Sequence, residues 1–190
     1  MGPILLLLAA LLLPRPALAW DPSPKAVARL ESGRPYVEVR GNAEDGLIMG
    51  AIDIEAPPAA VWKVVVDCDL APRMVASLKS CRVIERGPAG AWDVREQVSK
   101  PGFLPSVRSV FRSDYEPERR VRYHRVDGDL RFLEGEWRLV PLRGGAATRA
   151  LYENRAGMPY RLPGALMRMA ARHDVAAALI ALRRESLARR

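Results

Sequence analysis

The chain reads as an α+β protein in which a curved antiparallel sheet closes on one long C-terminal helix. Three observations carry this expectation. Leu162 to Arg190 is the only long helical pattern. The run directly before it holds six segments with strand chemistry and turn residues between consecutive ones. The helix is also apolar around more of its circumference than a surface helix would be, so other elements must wrap it.

Residues 1–19 are expected to be an export signal. Ile4 to Leu13 is an apolar run of ten, too short to span a bilayer, and Ala17-Leu18-Ala19 is the small-residue pattern of a cleavage site. About 170 residues remain, enough for one domain with a real core: residues 20–33 as a leader and 34–190 as the folded unit. Removing Arg15 from 30 basic and 22 acidic side chains leaves a net charge of +7. An exported, basic chain meets membrane surfaces and small molecules rather than nucleic acid, and periplasmic or secreted localisation is the expectation. Arg119, Arg120, Arg122 and Arg125 sit among Glu116, Glu118, Asp127 and Asp129. That reads first as a solvated surface and second as a patch for peripheral contact with anionic lipid. The two cysteines, Cys68 and Cys81, favour one disulfide in an oxidising compartment, and no other ligand-type residues cluster with them, so no metal site is expected.

Asp21-Pro22-Ser23-Pro24 is a polar, proline-broken leader. Tyr36 to Val39 is a candidate short strand, and Leu47 to Ile54 alternates and becomes β-branched, as a strand does. Ala56-Pro57-Pro58 stops the sheet and opens a helix, Ala59 to Val66, because proline is tolerated in the first turn. A second short helix is predicted over Pro72 to Leu78. Strands then follow at Cys81 to Arg86, Ala91 to Ser99, Ser106 to Tyr115, Arg119 to Val126, Leu130 to Val140 and Ala147 to Arg155. Turn chemistry such as Gly87-Pro88, Asp127-Gly128 and Gly144-Gly145 makes this an antiparallel meander. Pro163 suits the first turn of the last helix. At about 100° per residue, Leu166, Met169, Ala170, His173, Ala176, Ala177 and Ile180 share an arc that reads as the inward side. Arg168, Arg172 and Arg183 gather opposite and read as the wet side, while Val175, Leu179 and Leu182 fall outside the arc.

The segment Ala56-Pro57-Pro58-Ala59-Ala60-Val61-Trp62-Lys63-Val64-Val65-Val66-Asp67, followed by Ser80-Cys81-Arg82-Val83-Ile84-Glu85-Arg86, resembles the start of the START-like, or polyketide cyclase and coenzyme-Q-binding (SRPBCC), superfamily. Gly135-Glu136-Trp137-Arg138-Leu139-Val140-Pro141, then Ala147 to Glu153 and the closing helix, are similar to its second half. The likeness covers roughly residues 36 to 188. It implies a helix-grip fold: a seven-stranded antiparallel sheet curled around the C-terminal helix, two short helices after the first main strand, and an apolar cavity between. Cys68 departs from the family pattern, which commonly has an aromatic residue there, and many members lack an export signal. These motifs specify fold rather than chemistry.

Trp92, Phe111, Tyr123 and Trp137, with Met74 and Phe103 at the mouth and Met169 and His173 from the helix, are the candidate cavity residues. Each competes with a plain packing role. His173 could orient a carbonyl or act as acid or base, and His124 falls out of phase with the inward set. Glu134 with Glu136 and Asp127 with Asp129 are spaced as strand neighbours but read as solvated or turn residues rather than dyads. No nucleophile elbow or phosphate-binding glycine loop is present, so neither a catalytic residue nor a cofactor is assigned. Three functions remain open. The first is an exported protein holding a lipid or isoprenoid-like molecule. The second is a cyclase or dehydratase using His173 or Tyr123. The third is an envelope interaction protein with a filled core.

Overall fold

The computed structural model describes residues 20–102, 104–161 and 163–190. Residues 1–19, on which the expected export signal falls, Phe103 and Leu162 lie outside them. The elements run α1 (Pro24–Glu31), β1 (Tyr36–Gly41), β2 (Gly46–Ile54), α2 (Pro58–Val65), α3 (Ala71–Met74), β3 (Leu78–Arg86), β4 (Trp92–Ser99), β5 (Val107–Glu116), β6 (Arg120–Gly128), β7 (Phe132–Leu142), β8 (Ala147–Gly157) and α4 (Gly164–Leu187). Among the described residues all strands join one antiparallel sheet in the order β1-β2-β8-β7-β6-β5-β4-β3, eight strands rather than the seven that the resemblance implies. The additional count comes from β1, which pairs along its whole length with β2. Asn42 closes that hairpin by accepting the backbone N–H groups of Glu44 and Asp45 at 2.7 and 3.1 Å.

The register separates the two faces of the sheet. Ile52, Ala150 and Leu139 lie side by side on the concave face, while Ala51 and Leu151, one residue along, point to the convex one. The leader is not wholly irregular. Ser23 Oγ accepts the Ala26 N–H at 3.3 Å, Pro24 begins α1, and the helix buries Ala26 and Leu30. Leu30 rests on Ala51 and Leu151, so α1 covers the convex face. α3 is shorter than predicted, because Val75 is already extended and β3 begins at Leu78.

Helix α4 crosses the concave face in the opposite rotation to the one its periodicity suggested. Leu179 and Leu182 are buried with Ile52, Ile54, Val61, Val64 and Leu70, whereas Leu166, Met169 and Ile180 are 47%, 65% and 46% exposed. The arginines mislead here. Arg168 donates to the Gly41 carbonyl at 3.2 Å and Arg183 to the Gly33 carbonyl at 2.8 Å, so two of the three lie across the β1 side of the molecule with their stems over it. Gly50 permits this seating. A Cβ there would stand 3.2 Å from Leu179 Cδ1 and 3.3 Å from Val175 Cγ1.

Cys68, after α2, is disulfide-bonded to Cys81 of β3, with their Cα atoms 5.4 Å apart. The bond ties the segment carrying α3 to the sheet edge. Replacing both cysteines by alanine is expected to cost about 3 kcal/mol in urea unfolding, the loop-closure value for such a span. A loss below about 1 kcal/mol would show that packing alone holds α3.

Candidate functional site

Strands β4 to β8, α3 and the inward side of α4 enclose a cavity of about 400 Å³. Two register shifts in β3, at Leu78/Ser80 and Val83/Glu85, and one in the β5–β6 pairing, where Val126 of β6 is the extra residue opposite Val110 and Phe111, bend the strands that carry them. The core of α2, β2 and the C-terminal half of α4 closes one end. Met74, Val107, Phe111, Leu130, Leu133 and Trp137 give the cavity an apolar lining.

One wall is polar. Arg95, only 6% exposed, donates from Nε to Asp93 Oδ1 at 3.0 Å and from Nη2 to Asp93 Oδ2 at 2.6 Å. Nη2 also reaches the Val66 carbonyl at 3.2 Å and Tyr115 Oη. Tyr115 O–H in turn donates to Asp93 Oδ2 at 2.7 Å. Burial opposes the Arg95 charge, yet Asp93 and Tyr115 outweigh it and hold the guanidinium above its ordinary pKa. Burial likewise raises the Tyr115 phenol, so it remains a neutral donor. The hydrogen bonds among the described residues use Nε and Nη2 and leave Nη1 without a protein acceptor. Across the cavity Tyr123 donates to Asn154 Oδ1 at 2.9 Å, its phenol held protonated chiefly by burial and then by Tyr152. Gly135 makes this arrangement possible, since a Cβ there would lie 2.5 Å from Tyr123 Oη.

Of the residues singled out from sequence, Met74, Phe111, Tyr123 and Trp137 line this cavity. Phe103 lies outside the described residues. Met169 and His173 do not face the cavity; they sit beside Arg168 and Arg172 on the outward side of α4. The cause is the rotation of the helix set by Leu179 and Leu182. Trp92 is also turned away: Arg112 covers its ring at 4.1 Å, and Gly87 packs against it. In β4 the bulkier set Trp92, Val94 and Val98 alternates with Asp93, Arg95, Gln97 and Ser99, and three of the polar set line the cavity. Hydrophobic alternation therefore points the wrong way there, and it hid Arg95. The available signal was Asp93 and Arg95 two apart on one strand face, beside Tyr115 on the next strand. Glu134 and Glu136 form no dyad: Glu134 pairs with Arg155, and Glu136 with Arg138 and Arg120. Asp127 pairs with Arg108.

The sequence pattern of the family described as "Polyketide cyclase / dehydrase and lipid transport" matches residues 54–183. A comparison with curated proteins finds no match. Among solved structures, the chain is similar to a START superfamily protein from Mycobacterium smegmatis, with 17% identity, a TM-score of 0.65, and coverage of 75% of this chain and 97% of that one. It is similar to a STAR-related lipid transfer protein from Xanthomonas axonopodis, with 17% identity, a TM-score of 0.65 and coverage of 80% and 92%. The Zhui aromatase/cyclase from Streptomyces sp. R1128 shares 17% identity, with a TM-score of 0.63 and coverage of 77% and 96%. At these identities the neighbours speak for fold alone. The sheet gripping a C-terminal helix and a family pattern spanning more than half of the 190 residues agree: the chain belongs to the polyketide cyclase / dehydrase and lipid transport family, in its START-like helix-grip form.

Proposed function

We propose that this protein is exported and holds one hydrophobic small molecule of lipid or isoprenoid type, with a polar group of that molecule against Arg95 and Asn154. The observation that carries the reading is the cavity between sheet and α4, apolar on most sides and backed by a buried Asp93–Arg95–Tyr115 cluster. Its volume of about 400 Å³ falls within the usual range for small-molecule sites. Apolar burial supplies the affinity, and an acceptor such as a carbonyl or hydroxyl oxygen on the ligand meets the unused N–H of Arg95. His173, outside the cavity, is not placed to act on a molecule held there. The family description and the lipid-transfer neighbour support the same reading.

Ala178 lines the cavity, whereas Met169 is outside it. Ala178→Trp is expected to abolish binding of an apolar fluorescent fatty acid, and Met169→Trp to leave it within about twofold, a difference set by filled volume. Equal binding by both variants would remove the cavity from the function.

Arg95→Ala leaves Asp93 buried without its partner. It is expected to cost about 3–5 kcal/mol in urea unfolding, most of it recovered in the Asp93→Leu/Arg95→Met double variant. The double variant also tests the polar anchor, because it should bind a plain alkane-chain probe normally and a carbonyl-bearing one weakly.

Export is tested directly by N-terminal sequencing of the protein from a cell-envelope fraction, which should begin Trp20-Asp21-Pro22. An intact Met1 in cytosol would reject that part of the proposal.

A further inference from the structure

A second concavity, of about 600 Å³, opens between α1, β1 and α4, and none of its lining residues belongs to the ligand cavity. Its walls carry four cations. Lys25 and Arg29 lie one helical turn apart on α1, Arg34 follows in the turn to β1, and Arg172 comes from α4. Elsewhere arginines find carboxylates: Arg82 and Arg108 share Glu96, Arg149 forks onto Asp53, and Arg155 meets Asp45. Around this cleft no carboxylate among the described residues lies within 4.0 Å of any of the four. Residues 1–19 contain no aspartate or glutamate that could supply one.

Two of the guanidinium groups are held in place by their inner nitrogen. Arg29 Nε donates to the Pro35 carbonyl at 2.7 Å, and Arg34 Nε to Ser32 Oγ at 3.1 Å. The outer nitrogens of both forks are left without protein acceptors among the described residues. The nearby acid, Glu38, is engaged by Tyr36 O–H at 2.9 Å and by Arg40 Nε at 2.6 Å. Its carboxyl is held below the ordinary range mainly by Arg40, with a smaller contribution from Arg172. The lining residues themselves include four cations and no carboxylate, so the concavity is positive. Folding brings like charges from three elements together here without a compensating partner, which costs stability unless an anion joins them.

We propose that this cleft binds a phosphate-bearing anion, a phosphomonoester or the phosphodiester of a lipid head group, on the paired forks of Arg29 and Arg34, with Lys25 and Arg172 closing over it. Forked guanidinium groups match the oxygen spacing of phosphate, and their geometry is already fixed before binding. The site is independent of the hydrophobic cavity, so failure of one reading leaves the other standing.

The test uses the mature chain at low ionic strength. Inorganic phosphate and glycerol 3-phosphate are titrated calorimetrically, and vesicles of phosphatidylcholine with or without phosphatidylglycerol are sedimented with the protein. Arg34→Gln/Arg172→Gln should weaken binding by about tenfold or more, as loss of charge-assisted contacts does. A charge-matched control, Arg82→Gln/Arg122→Gln, removes the same charge from the convex surface and should stay within about twofold of wild type. Circular dichroism melting and cavity-probe binding verify that both variants remain folded. Binding of the soluble phosphates alone identifies a free phospho-compound; binding of phosphatidylglycerol vesicles alone identifies a membrane head group. Either outcome supports the site. No binding of any of these by the wild type, or equal losses in the two double variants, overturns it.

Discussion

Leu179 and Leu182 of α4 meet Ile52, Val61, Val64 and Leu70 in a closed core, and Gly50 lets the helix come down onto β2. Each buried leucine contributes about 1.5–3 kcal/mol by removal from water, so this contact fixes the rotation of the helix. With the C-terminal half of α4 seated, its preceding turns bridge the curved sheet without filling it. The cavity is the space left beneath that span, and the outward placing of Met169 and His173 is the same event seen from the other side.

The buried pair of Asp93 and Arg95 is costly to desolvate, and a pair of well-packed apolar residues would serve stability as well or better. Its hydrogen bonds compensate: both carboxylate oxygens, the Tyr115 hydroxyl and the Val66 carbonyl are engaged. What it adds to an otherwise apolar cavity is direction, since a fixed N–H favours one orientation of a bound molecule over its reverse. The raised phenol pKa values of Tyr115 and Tyr123 fit that role, because both remain donors at neutral pH rather than bases.

Much of the fold was legible because its signals are local. Turn pairs such as Asp127-Gly128 and the proline opening α2 mark boundaries wherever the rest of the chain lies. Phe111, Tyr123 and Trp137 were found by bulk on strands whose register the meander constrains. Arg95 and Asn154 were missed because a polar residue inside a cavity has the alternation of one facing water. The leader failed for a different reason. α1 is a short helix stabilised by Leu30 against Ala51 and Leu151, a contact whose partners lie far along the chain.

The sequence by itself determined the succession of elements from β1 onward, the antiparallel order of β3 to β8, the family, and the availability of Cys68 and Cys81 for pairing. These depend on period, turn chemistry and short motifs, which act over a few residues. Only the tertiary structure decided which arc of α4 is buried, which face of β4 lines the cavity, and that Lys25, Arg29, Arg34 and Arg172 share one cleft. A helix apolar on two arcs has no single preferred side until a second surface offers volume for leucine. Charges far apart in sequence have no common field until packing brings their elements together.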